Sequence, residues 1–214
     1  MRKLILKMDM SLDGFVAGPN GEQDWMFKHL EEGTSLWVIE AIWQAGLHVM
    51  GRKTFEAMAN HWPRSTEAFA APMNAIPKLV FTRSAANRDA IHEAAKKAAT
   101  TDAPTQKGKV ASPEEIKENQ KTWLDPLIAT DLVGEITRQK EKPGKNLIAY
   151  GGASFARELI QRDLVDEYRL VVRPVAIGKG LAIFDGLTKP RSLKLVGSTV
   201  FPGGSTAQIW SRER

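Results

Sequence analysis

Three short segments of this sequence combine small, basic and hydroxyl-bearing residues in a pattern suited to binding phosphate. Each follows an apolar run and leads into a predicted helix. Glycine lets a ligand approach the main chain closely, and a helix N-terminus offers unpaired N–H groups at the positive end of its dipole. Arginine, lysine, serine and threonine add charge and hydrogen-bond donors. The segments are Gly51-Arg52-Lys53-Thr54, Thr82-Arg83-Ser84 and Tyr150-Gly151-Gly152-Ala153-Ser154.

The hydrophobic pattern predicts the elements that must position these segments. Residues 3–10 alternate between apolar and polar side chains, with Ile5 as the exception, which indicates a strand. Short apolar runs predict further strands at 47–50, 78–82 and 146–150, and helices are expected near 35–45, after Gly51 and near 153–162. Alternating strands and helices are typical of a parallel sheet, whose carboxyl edge is where such sheets bind ligands. The three segments should therefore meet at one edge and suit a ligand with several phosphates.

The end of the chain completes the predicted fold class. Strands are expected at about 166–176, 193–200 and 205–212, and only the loop Phe201–Ser205 separates the last two. So short a connection requires an antiparallel hairpin. We predict an α/β, three-layer architecture: a mostly parallel central sheet with a C-terminal antiparallel hairpin and helices on both faces, forming one domain over residues 1–214.

The region from about 84 to 140 gives the weakest pattern. A helix is expected near 89–99, an exposed loop at 103–112 and another helix at 130–140. It contains no residues whose spacing indicates chemistry. We interpret it as a variable insertion ahead of the strand at 146–150.

Composition excludes several classes of function. The chain has no cysteine, which rules out disulfides and thiolate chemistry and fits a cytoplasmic location. The net charge is +5, but the Lys-rich stretch 85–145 has 11 basic and 10 acidic residues, so no basic patch for nucleic acid is expected. The four histidines lack metal-ligand spacing. No apolar run is long enough for a membrane span, so we expect no metal and no membrane partner.

Two common nucleotide motifs are absent. No Gly-x-Gly-x-x-Gly follows the first strand, so the usual dinucleotide fingerprint is missing. Gly46 and Gly51 have the spacing of a P-loop, but Arg52 follows where lysine is required, and the intervening residues read as a strand. Phosphoryl transfer is therefore disfavoured.

Four motifs together resemble those of the dihydrofolate reductase-like fold family. In particular the chain is similar to the branch that contains the C-terminal reductase domain of the bifunctional riboflavin-biosynthesis deaminase-reductase. The motifs occur in the family's order and cover most of the chain outside about 84–140. They are Met10-Ser11-Leu12-Asp13-Gly14-Phe15-Val16-Ala17, Val49-Met50-Gly51-Arg52-Lys53-Thr54-Phe55, Leu147-Ile148-Ala149-Tyr150-Gly151-Gly152-Ala153, and Leu164-Val165-Asp166-Glu167-Tyr168-Arg169-Leu170 with Pro174, Gly178, Gly180 and Phe184 beyond it.

This resemblance implies NADPH as cofactor. By analogy Arg52, Lys53 and Thr54 would hold its phosphates, and Gly151 to Ser154, preceded by Tyr150, would pass under the pyrophosphate. The segment Thr82-Arg83-Ser84 would lie near the adenosine 2′-phosphate. Val16 and Ala17 would flank the nicotinamide. The hydride chemistry belongs to the cofactor, while the protein supplies position and shielding from water.

The substrate side leaves alternatives open. Dihydrofolate reductase has a carboxylate on the helix after the first loop that binds the pterin ring. Asp24 is the nearest catalytic candidate here, but it could instead cap a helix turn. Asp13 is a second catalytic candidate or a brace for its loop. Trp25 could stack on a flat heterocycle, and Arg173 could contact a substrate phosphate or be an exposed strand cation.

The sequence therefore predicts an NADPH-dependent reductase of a small heterocyclic substrate, resembling 5-amino-6-(5-phosphoribosylamino)uracil reductase of riboflavin biosynthesis. Dihydrofolate reductase and a non-catalytic NADPH-binding protein are the alternatives. The zinc signature of the deaminase half needs cysteine, so that half is not expected here. The family often dimerises and the C-terminal strands offer an edge to cover, so we expect a homodimer.

Overall fold

A computed structural model describes residues 1–100 and 110–213 of the chain. Ten strands, eight α-helices and one short 3-10 helix (Trp62–Arg64) are present in these ranges. The strands are β1 (Leu4–Ser11), β2 (Phe15–Ala17), β3 (Ala45–Gly51), β4 (Lys78–Phe81), β5 (Leu127–Ala129), β6 (Asn146–Ala149), β7 (Glu167–Arg173), β8 (Leu181–Ala182), β9 (Leu193–Val200) and β10 (Thr206–Arg212). The helices are α1 (Asp24–Phe27), α2 (Glu32–Trp43), α3 (Arg52–His61), α4 (Ala70–Ala75), α5 (Asn87–Thr100), α6 (Pro113–Leu124), α7 (Leu132–Glu141) and α8 (Ala153–Gln161).

Eight strands form one sheet in the order β5-β4-β3-β6-β1-β7-β10-β9. The six strands from β5 to β7 are parallel, and β10 and β9 add antiparallel pairs at the end. Helices cover both faces of this sheet. The predicted fold class is confirmed, including the C-terminal hairpin. Within the described residues no helix is long and apolar enough to cross a membrane.

The alternation in β1 explains how the two faces of the sheet are covered. Leu4, Leu6, Met8 and Met10 belong to the core beneath α7 and α8, which we call the α8 face. Ile5 belongs to a second core beneath α2 to α6, which we call the α2 face. A strand buried on both faces has apolar residues on both, so the exception in the alternation marks a central strand.

The described residues of the region 84–140 form part of the sheet and of its cover. β5 extends the sheet beyond β4, and α5 and α6 bury Ile91, Ala95 and Trp123 in the α2-face core. Neither β5 nor α6 was predicted. The loop expected at 103–112 falls mostly outside the described residues; within it, Ala111 is buried and donates its N–H to the carbonyl of Arg64.

The first loop also contains more structure than expected. β2 lies within it and pairs antiparallel with β8, forming a small second sheet. The segment was predicted as a loop because three-residue strands leave no periodic pattern in the sequence.

A polar cluster lies inside the α2-face core. Lys78 is 1% exposed, lies 4.2 Å from the centroid of the Trp123 ring and hydrogen-bonds the hydroxyl of Thr122. Trp123 donates its indole N–H to Asn74 at 2.9 Å. These contacts compensate for burial only in part, and burial lowers the pKa of Lys78 to about 6. Burial and the nearby Lys78 likewise lower the pKa of His48 to about 3.

The depressed pKa of Lys78 predicts a pH-dependent stability. Between pH 6 and 10 the unfolded chain holds a proton on this lysine that the folded chain has lost, so the free energy of unfolding rises with pH over this window. We expect Lys78→Met to raise stability at pH 7 and to lower this slope by up to about 1.4 kcal/mol per pH unit. Urea unfolding at several pH values measures both the free energy of unfolding and its slope with pH. Lys96→Met, at an exposed site, is the control, and equal slopes for the Lys78 variant and the parent would contradict the prediction.

Candidate functional site

The three segments singled out in the sequence meet at one cleft. β4, β3 and β6 are neighbours and parallel, so the turns that follow them lie side by side at the carboxyl edge of the sheet. The cleft has a volume of about 780 Å³ and is lined by residues from all three turns. Those residues are Gly51, Arg52, Lys53, Thr54, Thr82, Arg83, Gly152 and Ser154.

Two helices begin at the cleft without a side chain to cap them. Gly51 is the N-cap of α3 and Gly152 is the N-cap of α8, and neither end has a side-chain capping bond. The first N–H groups of a helix need an outside partner, and an anion suits them. The N–H of Gly152 donates to the hydroxyl of Thr54 at 3.2 Å, which ties the first turn to the third. The cleft therefore presents two helix N-termini to one ligand.

The second turn contributes an exposed arginine to the cleft. The amide of Asn87 donates to the buried hydroxyl of Thr82 at 2.9 Å, which fixes the start of the turn, and Arg83 and Ser84 are exposed beyond it. Asn87 lies on α5 and also lines the cleft. A rigid turn with an exposed guanidinium is suited to a phosphate held outside the helix N-termini.

Two of the four cations that line the cleft, Lys53 and Arg83, form no salt bridge within the described part of the chain. The other two are paired: Arg52 lies 3.4 Å from Glu56, and Arg162 lies 2.6 Å from Glu158. The cleft therefore carries positive charge that would attract an anion.

The region 84–140 supplies a wall of the cleft that the sequence did not reveal. Thr130 to Val133 line it at the start of α7, where the carboxylate of Asp131 accepts the N–H of Gly134 at 3.0 Å. The rings of Phe81 and Phe155 stack with centroids 5.8 Å apart and add an apolar surface. An apolar run ending in Thr-Asp before a helical pattern was the available signal, since aspartate is a common N-cap.

Tyr150 and Ala153 do not line the cleft. Ala153 is buried in the core of the α8 face. Tyr150 lies on the α2 face, where its ring stacks on His48 with centroids 5.3 Å apart. Its hydroxyl is buried without a hydrogen-bond partner among the described residues, and burial raises its pKa well above 10. Gly151 does not line the cleft either, and a Cβ added there would lie 3.4 Å from the main-chain nitrogen of Ala156, which is a close contact.

β1 continues past the end of β6 beside the cleft, and we call its unpaired edge beyond Leu6 the slot. Their pairing covers only Leu4 to Leu6 of β1, whereas β1 stays paired with β7 as far as Ser11. The β6 side of β1 from Lys7 onward is therefore unpaired in the described structure. Val16 and Ala17 of β2 are buried next to this part of β1. The slot could take a flat ring.

Asp13 and Asp24, the two candidate carboxylates, lie in different settings. Asp13 accepts the main-chain N–H groups of Ile177 at 3.1 Å and of Gly178 at 2.7 Å. Hydrogen bonds from Ser11 and from these N–H groups lower the pKa of Asp13. Its visible role is to brace the loop that carries Gly178, which has a φ of +78°. Asp24 is exposed at the start of the four-residue α1.

Trp25 and Arg173 are both more enclosed than expected for surface residues. Trp25 is half-buried on α1, and its indole N–H is buried with no partner in the described residues. Arg173 is 2% exposed and pairs with Asp9 of β1 at 2.5 Å, so the alternative of an exposed strand cation is wrong. Sequence reasoning missed Asp9, because its partner lies 164 residues away.

Comparison with known proteins agrees with this geometry. The family model described as RibD C-terminal domain matches residues 2–206. The uncharacterized protein YyaP of Bacillus subtilis is 26% identical over 208 residues, covering 95% of this chain and 91% of that protein. A crystal structure titled putative riboflavin biosynthesis protein, from Shewanella sp. PV-4, is similar with a TM-score of 0.66, 20% identity and full coverage of both chains.

Two further solved structures share the fold. A diaminohydroxyphosphoribosylaminopyrimidine deaminase/5-amino-6-(5-phosphoribosylamino)uracil reductase from Thermotoga maritima has a TM-score of 0.59 at 16% identity, covering 99% of this chain and 57% of that one. Dihydrofolate reductase from Enterococcus faecalis, complexed with NADP(H), has a TM-score of 0.56 at 14% identity, covering 99% and 97%. The chain therefore belongs to the RibD C-terminal domain family and has the dihydrofolate reductase-like fold.

Proposed function

We propose that the chain is an NADPH-dependent reductase of a small heterocyclic substrate, of the type that reduces 5-amino-6-(5-phosphoribosylamino)uracil. The observation that carries this proposal is the single cleft at which two uncapped helix N-termini meet the unneutralised Lys53 and Arg83. Such a cleft matches a ligand with more than one phosphate. Membership of the RibD C-terminal domain family and the NADP(H) complex of the E. faecalis structure support the choice of ligand.

The residues of the cleft divide the work of holding the cofactor. The N-termini of α3 and α8 would bind the pyrophosphate, with Lys53 and Thr54 beside it. Arg83 and the hydroxyls near it would bind the 2′-phosphate. The slot between β1 and the turn after β6 would receive the nicotinamide, with Val16 and Ala17 excluding water. The cofactor, when bound, supplies the hydride, and the chain supplies orientation and a dry environment.

The role assigned to Arg83 can be tested through cofactor preference. Arg83→Ala should weaken NADPH binding about 10- to 100-fold, since a charge-assisted hydrogen bond contributes about 1.5–3 kcal/mol. Binding of NADH, which has no 2′-phosphate, should change little. Calorimetric titration with NADPH and with NADH gives the ratio of the two dissociation constants. Arg88→Ala, an exposed cation on α5 outside the cleft, is the matched control. Equal loss for both cofactors would refute this role.

Catalysis is tested by turnover on defined heterocycles. The purified chain should oxidise NADPH steadily when 5-amino-6-(5-phosphoribosylamino)uracil is added, as followed by the loss of NADPH absorbance. Binding of NADPH without turnover on a panel of pyrimidines and pterins would instead favour a non-catalytic binding protein. Lys53→Glu, which reverses a charge inside the cleft, should raise the KM for NADPH by more than tenfold.

A further inference from the structure

A second pocket, which we call the amino-edge pocket, lies at the end of β1 opposite to the slot. It forms where the residues before β1 and β7 meet the ends of α7 and β10, and its volume is about 360 Å³. Lys3, just before β1, and Ser11, at its end, are eight positions apart, which is about 26 Å in an extended strand. The amino-edge pocket is therefore separate from the cleft. Its lining includes Arg2, Lys3, Lys140, Asp166, Ser211 and Arg212.

Positive charge dominates this lining. Among the described residues, Asp166 is the one carboxylate that lines the pocket, and Lys140 binds it at 2.5 Å. The Nζ of Lys140 also donates to the carbonyl of Leu164 at 2.6 Å, which fixes this lysine in place. The acidic residues Glu141 and Glu213 are exposed and do not line the pocket. The other lining cations are Arg2, Lys3 and Arg212.

The carboxylates near the pocket are too few to neutralise its cations. Asp163 and Glu167 are each shared between two cations, and Arg2 forms no salt bridge with any described residue. The shared pairs are Arg191 and Arg212 with Asp163, and Lys3 and Arg169 with Glu167. Together with Lys140 on Asp166, three carboxylates in this part of the described chain face six cations. The surplus is three positive charges.

Arg2 is held at the pocket by neutral acceptors. Its Nε and Nη2 donate to the carbonyl of Gln139 at 2.8 and 2.6 Å, and Nη2 also donates to the side-chain oxygen of Gln139 at 2.8 Å. These oxygens fix the guanidinium but leave its charge uncompensated. Its Nη1 forms no hydrogen bond with the described residues. A fixed guanidinium with free N–H groups is well suited to phosphate oxygens.

We propose that the amino-edge pocket binds a phosphate group, either as inorganic phosphate or as the monoester of a small polar molecule. A surplus of three charges suits a group that carries close to two negative charges at neutral pH. The donors would be Nη1 of Arg2, the ammonium of Lys3, whose side chain is 56% exposed and free to turn, and the hydroxyl of Ser211. The volume is near the lower limit for small-molecule pockets, which favours a small ligand. This site is independent of the proposed function, because none of its residues lines the cleft.

A titration of the ¹⁵N-labelled protein with inorganic phosphate, followed by NMR, tests the proposal. The main-chain amides of Lys3, Leu4 and Arg212 should shift in a saturable way at millimolar phosphate. Sodium chloride at equal ionic strength is the control. Absence of these shifts, or equal shifts with chloride, would overturn the proposal. The amides of Gly51 and Gly152 report separately on the cleft, so a failure of the cleft to bind anions is distinguishable from a failure of the amino-edge pocket.

Glycerol 3-phosphate distinguishes the two sources of the phosphate group. Tighter binding of this monoester than of inorganic phosphate, followed at the same amides, would identify the ligand as a phosphorylated small molecule. The opposite order would identify inorganic phosphate. If neither compound bound, the amino-edge pocket would not be a phosphate site.

Removal of the unpaired cation attributes binding to the pocket. Arg2→Gln should weaken phosphate binding there about fivefold or more, since a charge-assisted hydrogen bond is about twice as strong as a neutral one. Arg138→Gln is the matched control, because Arg138 is an exposed cation on α7 that does not line the pocket. Lys3→Gln, at an exposed side chain, should also weaken binding and is the second variant if Arg2→Gln does not fold. Thermal unfolding establishes folding, and unchanged affinity in the folded variants refutes the proposal.

Discussion

The extension of β1 beyond the end of β6 is the constraint on which the proposed site depends. β1 pairs with β6 over three residues and with β7 over seven. Because β6 ends after its short pairing with β1, the turn that follows β6 lies at the cleft. The longer pairing with β7 extends β1 beyond that turn. The result is an unpaired strand edge beside two helix N-termini. A longer β6 that paired with β1 as far as Ser11 would leave no unpaired edge at this point.

Charged side chains are arranged in opposite ways in the cleft and on the α2 face. In the cleft, Lys53 and Arg83 are exposed to solvent without a salt bridge, so binding an anion there removes little existing stabilisation. On the α2 face, Lys7 and Arg173 are buried and share Asp9. Buried charges must be paired, and separating them would leave an uncompensated charge at high cost. Exposed positive charge in the cleft and a buried, paired network on the α2 face are thus built from the same residue types.

The sequence was most informative where function is local. A turn such as Gly51 to Thr54 is read from consecutive residues, and parallel topology then brings three such turns together. Contacts between distant residues were not predicted. The hydrogen bond from Arg173 to Asp9 joins residues 164 positions apart, and a lysine, an aspartate and an arginine in strands resemble ordinary solvated positions. β5 and α6 were missed for another reason: a three-residue strand and a helix without a long apolar stripe give weak periodicity. Only the packing of Ile128 of β5 and Trp123 of α6 into the α2-face core reveals their place.

The hydrogen bond from Gly152 to Thr54 affects the energetics of occupation. This N–H is the one that a phosphate oxygen at α8 would use, and it already has an acceptor 3.2 Å away. If a phosphate bound there, this N–H would exchange the Thr54 hydroxyl for a phosphate oxygen. The net gain in binding free energy from this donor would be small, as it is whenever one hydrogen bond replaces another. The bond does, however, hold the two turns at a fixed spacing before any ligand arrives. Its contribution is thus entropic, because the frame of the cleft is assembled during folding and not at the moment of binding.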